Sequence, residues 1–182
     1  GLIPVTSGRA DDANLINRAY LDRLMLEMRV IDSVEPDLKT TILGSTFTSP
    51  IMMPAFSHLN KVGENGRMPM QEYADAAKNL GLMNWIGMEP NEEFEAIMAT
   101  GAKTGRIIKP FLDHEKILCE IRVAEEAGAI AVGIDIDHIA GADGEYNVVD
   151  EIPLCPVTLE ALKSYVASTE VPFVATGVLS LQ

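Results

Sequence analysis

Short apolar runs that alternate with amphipathic helical stretches predict an α/β fold with a parallel sheet. Three observations carry this prediction. Strand-like runs recur at intervals of roughly 25–40 residues with a helical stretch between them, the cadence of βα units. Glycines stand where helices should end, at Gly81, Gly101 and Gly128, the position that favours a left-handed backbone. Residues 129–138 alternate as a strand should, with Ile130, Val132, Ile134 and Ile136 on one face and Ala131, Gly133, Asp135 and Asp137 on the other.

The elements follow in order. Asp11 or Asp12 caps a helix in which Leu15, Ala19, Tyr20 and Leu24 recur at helical spacing. Arg29, Val30, Ile31 and Asp32 read as strand-like until Pro36. A strand-like run from Thr40 stops at Gly44 and a short polar turn follows. Then comes Ile51, Met52, Met53, Pro54 and Ala55, a continuous apolar run expected as a strand buried on both faces. Its shortness and its flanking prolines argue against a helix. A helix over 70–80, a strand over 82–87 and a helix capped by Asn91, with Glu92 and Glu93 in its first turn, come next. A strand over 106–112 leads to Asp113, the cap of a long helix. The alternating strand over 129–138 is followed by a long loop, 139–156. Thr158 caps the next helix, and 171–178 is the fifth strand of the series. Five such strands fit an open doubly wound sheet or five-eighths of a closed barrel, and periodicity does not separate the two.

Composition narrows the function classes. The chain has 182 residues and a formal net charge of −13, which argues against nucleic acid and anionic membranes as partners. A complete eight-fold α/β barrel typically takes ~250 residues. No stretch approaches ~18 apolar residues, so no membrane span is predicted. Cys119 and Cys155 lack metal-ligand spacing, which favours a reduced, cytoplasmic setting. No G-x-G-x-x-G or P-loop follows the first predicted strand. Asp135, Asp137 and His138 resemble a metal cluster only superficially, because His138 points away from the face the two carboxylates share, and no metal is expected. Trp85 is expected in the core, His114 at the surface and the methionines in irregular core gaps.

Ser7 and Gly8, Asp11 and Asp12, Asn17 and Arg18, the Arg29–Ile31 segment and the run Thr40 to Gly44 together resemble the lead-in of the FMN-dependent 2-hydroxy acid oxidases and dehydrogenases. Pro50, Ile51 and Met52, then Gly63 and Glu64, Ala74, Ala76 and Ala77, Glu92 and Glu93, and Pro172 to Gly177 continue the resemblance in order. The type 2 isopentenyl diphosphate isomerases look like more distant relatives. The resemblance implies a (β/α)8 TIM barrel, of which this chain matches the first five βα units behind a lead-in. Its domain reading is residues 1–45 as lead-in and 46–182 as incomplete barrel.

The resemblance further implies FMN at the C-terminal ends of the strands and oxidation of a small 2-hydroxy acid. Cofactor-binding positions fall at Ala55, Phe56, Ser57, Gly87, Lys109, Asp135 and Thr176. Asp137, His58 and Phe111 fall at lining positions. The family's catalytic His and substrate-binding Arg lie beyond the matched part, so no catalytic residue is assigned and the chain alone is expected to be inactive. The departures are specific: Lys109 stands where the family has Gln, Phe111 where it has Tyr, Asp135 where it has Thr and Thr176 where it has Lys. Lys109 and Asp135 are expected to pair, lining the site or serving only as structure. The alternative reading is a non-catalytic half-barrel that assembles with identical chains or with a complementary barrel fragment.

Overall fold

The computed structural model describes residues 12–28, 30–56, 59, 62, 66–137, 139–141 and 143–178. The chain divides into two compact units, residues 1–37 and 38–182. In the first, α1 (Ala13–Leu21) begins at Asp12, whose carboxylate accepts from Asn14 N at 2.8 Å. Arg18 and Asp22 form an i,i+4 ion pair at 2.6 Å, and the Arg23 guanidinium lies over the Tyr20 ring. The strand expected over 29–32 is absent from the described part of that segment. Val30 is exposed, and Asp32 holds a positive φ of 55°, which ends any extended pairing.

The second unit opens with a hairpin. β1 (Thr40–Ile42) pairs antiparallel with β2 (Ser45–Phe47). Leu43 and Gly44 form the two-residue loop, both at positive φ, the geometry whose twist matches that of paired strands. The expected polar turn after Gly44 is therefore a strand, and Phe47 at its end is buried. The run at 51–55 departs from expectation as well. It forms only isolated parallel bridges, Met52 to Met83 and Phe56 to Ile86, and Ile51 is 63% exposed. Pro50 and Pro54 carry no N–H, so a regular ladder fails there.

The sheet itself has four parallel strands. β3 (Asn84–Ile86), β4 (Thr104–Ile108), β5 (Ala131–Asp135) and β8 (Phe173–Thr176) lie in that order. α2 (Pro69–Leu80) precedes β3, and α3 (Asn91–Ala99), α4 (His114–Glu126) and α5 (Leu159–Ala167) run between successive strands of the sheet. Local chemistry sets their ends. Gly81 closes α2 at φ 67°. The Asp113 carboxylate accepts from Glu115 N and Lys116 N at the start of α4, and Thr158 accepts from Ala161 N at the start of α5. At α3 the cap is Pro90, and Asn91 is the first helical residue. A second small hairpin, β6 (Val148–Val149) with β7 (Ile152–Pro153), organises the loop after β5.

The two faces of the sheet bury different residues. Ile86, Ile108, Val132 and Ile134 pack against the helices with Phe94, Ile97, Ile117, Ile121 and Tyr165. On the other face, Trp85, Ile107 and Ala131 form a smaller cluster with Phe47 and Met83. The alternation read from residues 129–138 is observed, except that Ile130, just ahead of β5, packs with the second cluster. Gly105 has a definite reason to be glycine, because a Cβ there would run into the Trp85 ring. The indole takes the volume that the missing side chain leaves.

Candidate functional site

In parallel α/β folds the loops at the C-terminal ends of the strands carry the binding residues. In this chain that end is polar. Lys109 follows β4, Asp135 ends β5, and Thr176 ends β8 directly across from Asp135 in register. The Lys109 Nζ contacts Asp135 Oδ2, with side chains 22% and 19% exposed. The pair anticipated from the sequence is therefore formed. Thr176 Oγ1 donates to Ile134 O at 3.4 Å.

Asp137, two residues on, is exposed and belongs to the same group. Burial works against an ionised Asp135, but its hydrogen bond with Asp137 and the Lys109 ammonium outweigh burial and hold its carboxyl below the usual range. The same hydrogen bond to Asp135, followed by burial and Asp135's charge, pushes Asp137 up. Two neighbouring carboxylates thus separate in acidity first through the hydrogen bond they share, with the Lys109 ammonium adding to the fall at Asp135. Gly177 makes the arrangement possible, since a side chain there would occupy the space of Asp137.

The remaining expected positions fall in three classes. Ala55 and Phe56 are exposed beside β3, and Gly87 is buried with its N–H donating to Phe56 O at 3.0 Å. Ser57, His58 and His138 lie outside the described residues. Phe111 is a correction to the lining set. It is 1% exposed in the helix-side core, under the Lys116 ammonium and bridged to Leu154. Pro110 ends the strand before it, and the chain turns toward the helices. His114 is exposed as expected, yet its Nδ1 contacts the hydroxyl of Tyr165.

Arg106 escaped the sequence reading. It sits mid-strand in β4 with its side chain 3% exposed, against Glu120 at 2.6 Å and over the Phe94 ring at 4.4 Å. Its Nη2 also donates to Glu89 O and Asn91 Oδ1, while Nη1 is buried without a hydrogen-bond partner. A cavity of about 630 Å³ opens beside it on the helix side, lined by Met88, Asn91, Glu93, Lys116 and Asp150 among others. The signal was a charged residue inside an apolar run, hidden by placing Arg106 at the strand's first position. Among the described residues, no group of three or more His, Cys, Asp or Glu side chains could hold a metal ion. Cys119 and Cys155 are free thiols. No helix of the described residues is long and apolar enough to cross a membrane.

A parallel arc of strands with its polar residues gathered at their C-terminal ends defines the class: an α/β chain of barrel type. The chain matches the FMN-dependent dehydrogenase family over residues 5–179 and belongs to that family, whose cofactor is FMN. Among solved structures, a mandelate oxidase with 3,3-difluoro-2-hydroxy-3-phenylpropionic acid superposes with a TM-score of 0.74 at 21% identity, covering 91% of this chain and 53% of that one. A tyrosine-to-phenylalanine variant of mandelate oxidase with (S)-mandelic acid gives 0.74 at 21%, covering 91% and 52%. A further mandelate oxidase structure gives 0.71 at 20%, covering 91% and 54%. At this identity the likeness is one of fold. The chain spans about half the length of the solved structures it matches. No curated protein matches.

The chemistry of the donor set fits FMN. The pyrimidine edge of a flavin presents two carbonyls and an N–H. An ammonium and a hydroxyl suit the carbonyls, and a carboxylate suits the N–H. Lys109 and Asp135 supply the ammonium and the carboxylate in one place, and the Thr176 hydroxyl, which donates to Ile134 O at 3.4 Å, lies across from Asp135.

Proposed function

We propose that this chain forms the flavin-ring side of an FMN site, and that the whole protein uses that site to oxidise a small 2-hydroxy acid. The observation that carries the reading is the Lys109, Asp135 and Thr176 set at the strand ends of a chain in an FMN-dependent family. Ala55 and Phe56, with Gly87 hydrogen-bonded to Phe56, supply backbone against which a flat ring lies. Lys109, Asp135 and Thr176 take its hydrogen-bonding edge. Asp137 lines the space beside it. When bound, FMN supplies a hydride acceptor. Asp137, whose carboxyl is pushed above the usual range first by its hydrogen bond to Asp135, is the weaker acid of the two at the rim of the site.

Incubating the purified chain with FMN, followed by gel filtration, tests the cofactor site. Retained flavin absorbance is expected, and Lys109→Met is expected to weaken retention by about tenfold, the cost of one charge-assisted hydrogen bond. A wild-type chain that elutes colourless overturns the reading.

A second reading is association through the edges of the arc. β8 has one neighbour in the sheet, and Ile51, Phe56 and Val178 are 63%, 48% and 63% exposed. Unpaired strand edges with apolar residues beside them favour pairing with another chain. In this reading identical chains, or a complementary barrel segment, cover those edges in the cytoplasm. Light scattering is expected to give a mass above that of one chain, and a stable monomer overturns it.

A further inference from the structure

We propose that Asp135 cancels the charge of Lys109 inside the cofactor site, so that FMN meets a neutral hydrogen-bonding pair in place of a free cation. The inference rests on the flavin site proposed above and concerns how that site treats charge on the ring. Three observations carry it. Lys109 Nζ is in contact with Asp135 Oδ2, and both side chains are about four-fifths buried. Thr176, the residue across from Asp135 on the neighbouring strand, is uncharged. Asp137, two residues on, contributes a further carboxyl hydrogen-bonded to Asp135.

An ammonium touching a carboxylate is felt at a distance as a dipole, and its field falls off faster than that of a lone cation. Separating the two would leave a partly buried charge without its partner, which keeps Lys109 where it is. A flavin that gains an electron pair gathers negative charge along N1 and C2=O, and a free cation nearby stabilises that state. Here the cation is already neutralised. The oxidised ring is bound through Lys109 and Asp135 as donor and acceptor, while its negatively charged states receive little help from Lys109.

Sulfite reads this directly and without turnover. Its sulfur lone pair forms a bond to flavin N5, and the displaced electron pair settles as negative charge at N1 and C2=O. No proton, oxidant or reductant is required. The loss of visible flavin absorbance measures the affinity. In the FMN-loaded protein, Asp135→Asn releases the Lys109 charge and is expected to tighten sulfite binding by about tenfold, as one nearby unit charge does at an intermediate dielectric. Lys109→Met leaves a bare carboxylate and is expected to weaken it by a similar factor. The double variant is expected to return within about threefold of wild type, because the two charges act as one unit.

A purely structural pair would shift both single variants in the same direction. Asp135→Ser serves as the second variant should Asp135→Asn not fold. Sulfite affinity within twofold of wild type in the Asp135 variants, with FMN still bound, overturns the charge cancellation alone. A wild-type protein that takes up no FMN overturns both this inference and the proposed cofactor site.

Discussion

β4 carries two ion pairs on its opposite sides, and they serve different ends. Arg106 points into the helix layer, where Glu120, Glu89 and Asn91 surround it and Phe94 lies beneath it. Lys109, three residues later, stands past the end of the strand with Asp135 and keeps about a fifth of its side chain exposed. The first pair joins β4 to α4, at the edge of the cavity lined by Met88, Asn91 and Glu93. Burial pulls Arg106 below the usual guanidinium range, and Glu120 only partly restores it. The second pair has solvent on one side and a neighbouring carboxyl that responds to it. Charge buried deep in a layer is structural cement, whereas charge at a strand end remains free to meet a ligand.

The largest effect is expected where the buried pair is broken. Arg106→Ala leaves Glu120 with only the longer contact to Lys116 Nζ at 3.4 Å and is expected to cost roughly 3 kcal/mol in urea unfolding followed by circular dichroism. Replacing both partners, Arg106→Met with Glu120→Leu, is expected to recover most of that loss. A double variant as unstable as the single would show that the pair's geometry, and not its charge, holds α4 on the sheet.

Next comes Gly105→Val, one residue before Arg106 but on the opposite face. The new side chain meets the Trp85 ring and is expected to cost roughly 1–3 kcal/mol by overpacking. An unfolding midpoint unchanged from wild type would remove the close approach as the reason for the glycine.

Lys109→Met is expected to cost about 1–2 kcal/mol, less than Arg106→Ala because Lys109 is 22% exposed against 3% for Arg106, while still weakening FMN retention. That split between stability and binding is what separates the two pairs. A loss as large as that of Arg106→Ala would make Lys109 structural too.

The smallest effect follows pH. Asp135's carboxyl lies below its unfolded value of about 3.9, so its contribution is present above that pH and is lost as pH falls through the folded value. The stability difference between wild type and Asp135→Asn is therefore expected to narrow below about pH 4. Asp137, pushed up, acts with the opposite sign: its contribution is present below the unfolded value and is lost as pH rises through the folded one. A difference that stays flat from neutral pH into strong acid would mean that neither the hydrogen bond with Asp137 nor the Lys109 contact controls Asp135.

The legible parts of the chain were those decided locally or by simple alternation. Asp113 and Thr158 cap their helices, and Gly81 closes α2, because these side chains act on backbone groups a few residues away. The two faces of β5 follow from a period of two. The Lys109 and Asp135 pair was readable because both residues fall at the same end of adjacent strands.

What escaped depended on partners far along the chain. The run at 51–55 is apolar enough for a buried strand, but its prolines limit it to isolated bridges. The polar residues of β2 form a strand because β1 lies beside them. Phe111 looked like a continuation of β4, and only the turn at Pro110 sends it into the core. Arg106 is tolerated inside an apolar layer because Glu120, one helix away, meets it there.

The indole of Trp85 has one more consequence. It is the chain's single tryptophan, held 9% exposed on the face of the sheet away from the helices. Its ultraviolet emission therefore reports on that one layer alone. A flavin absorbs at those wavelengths, so cofactor uptake at the strand ends would dim the same light that a collapsing or opening sheet shifts in colour.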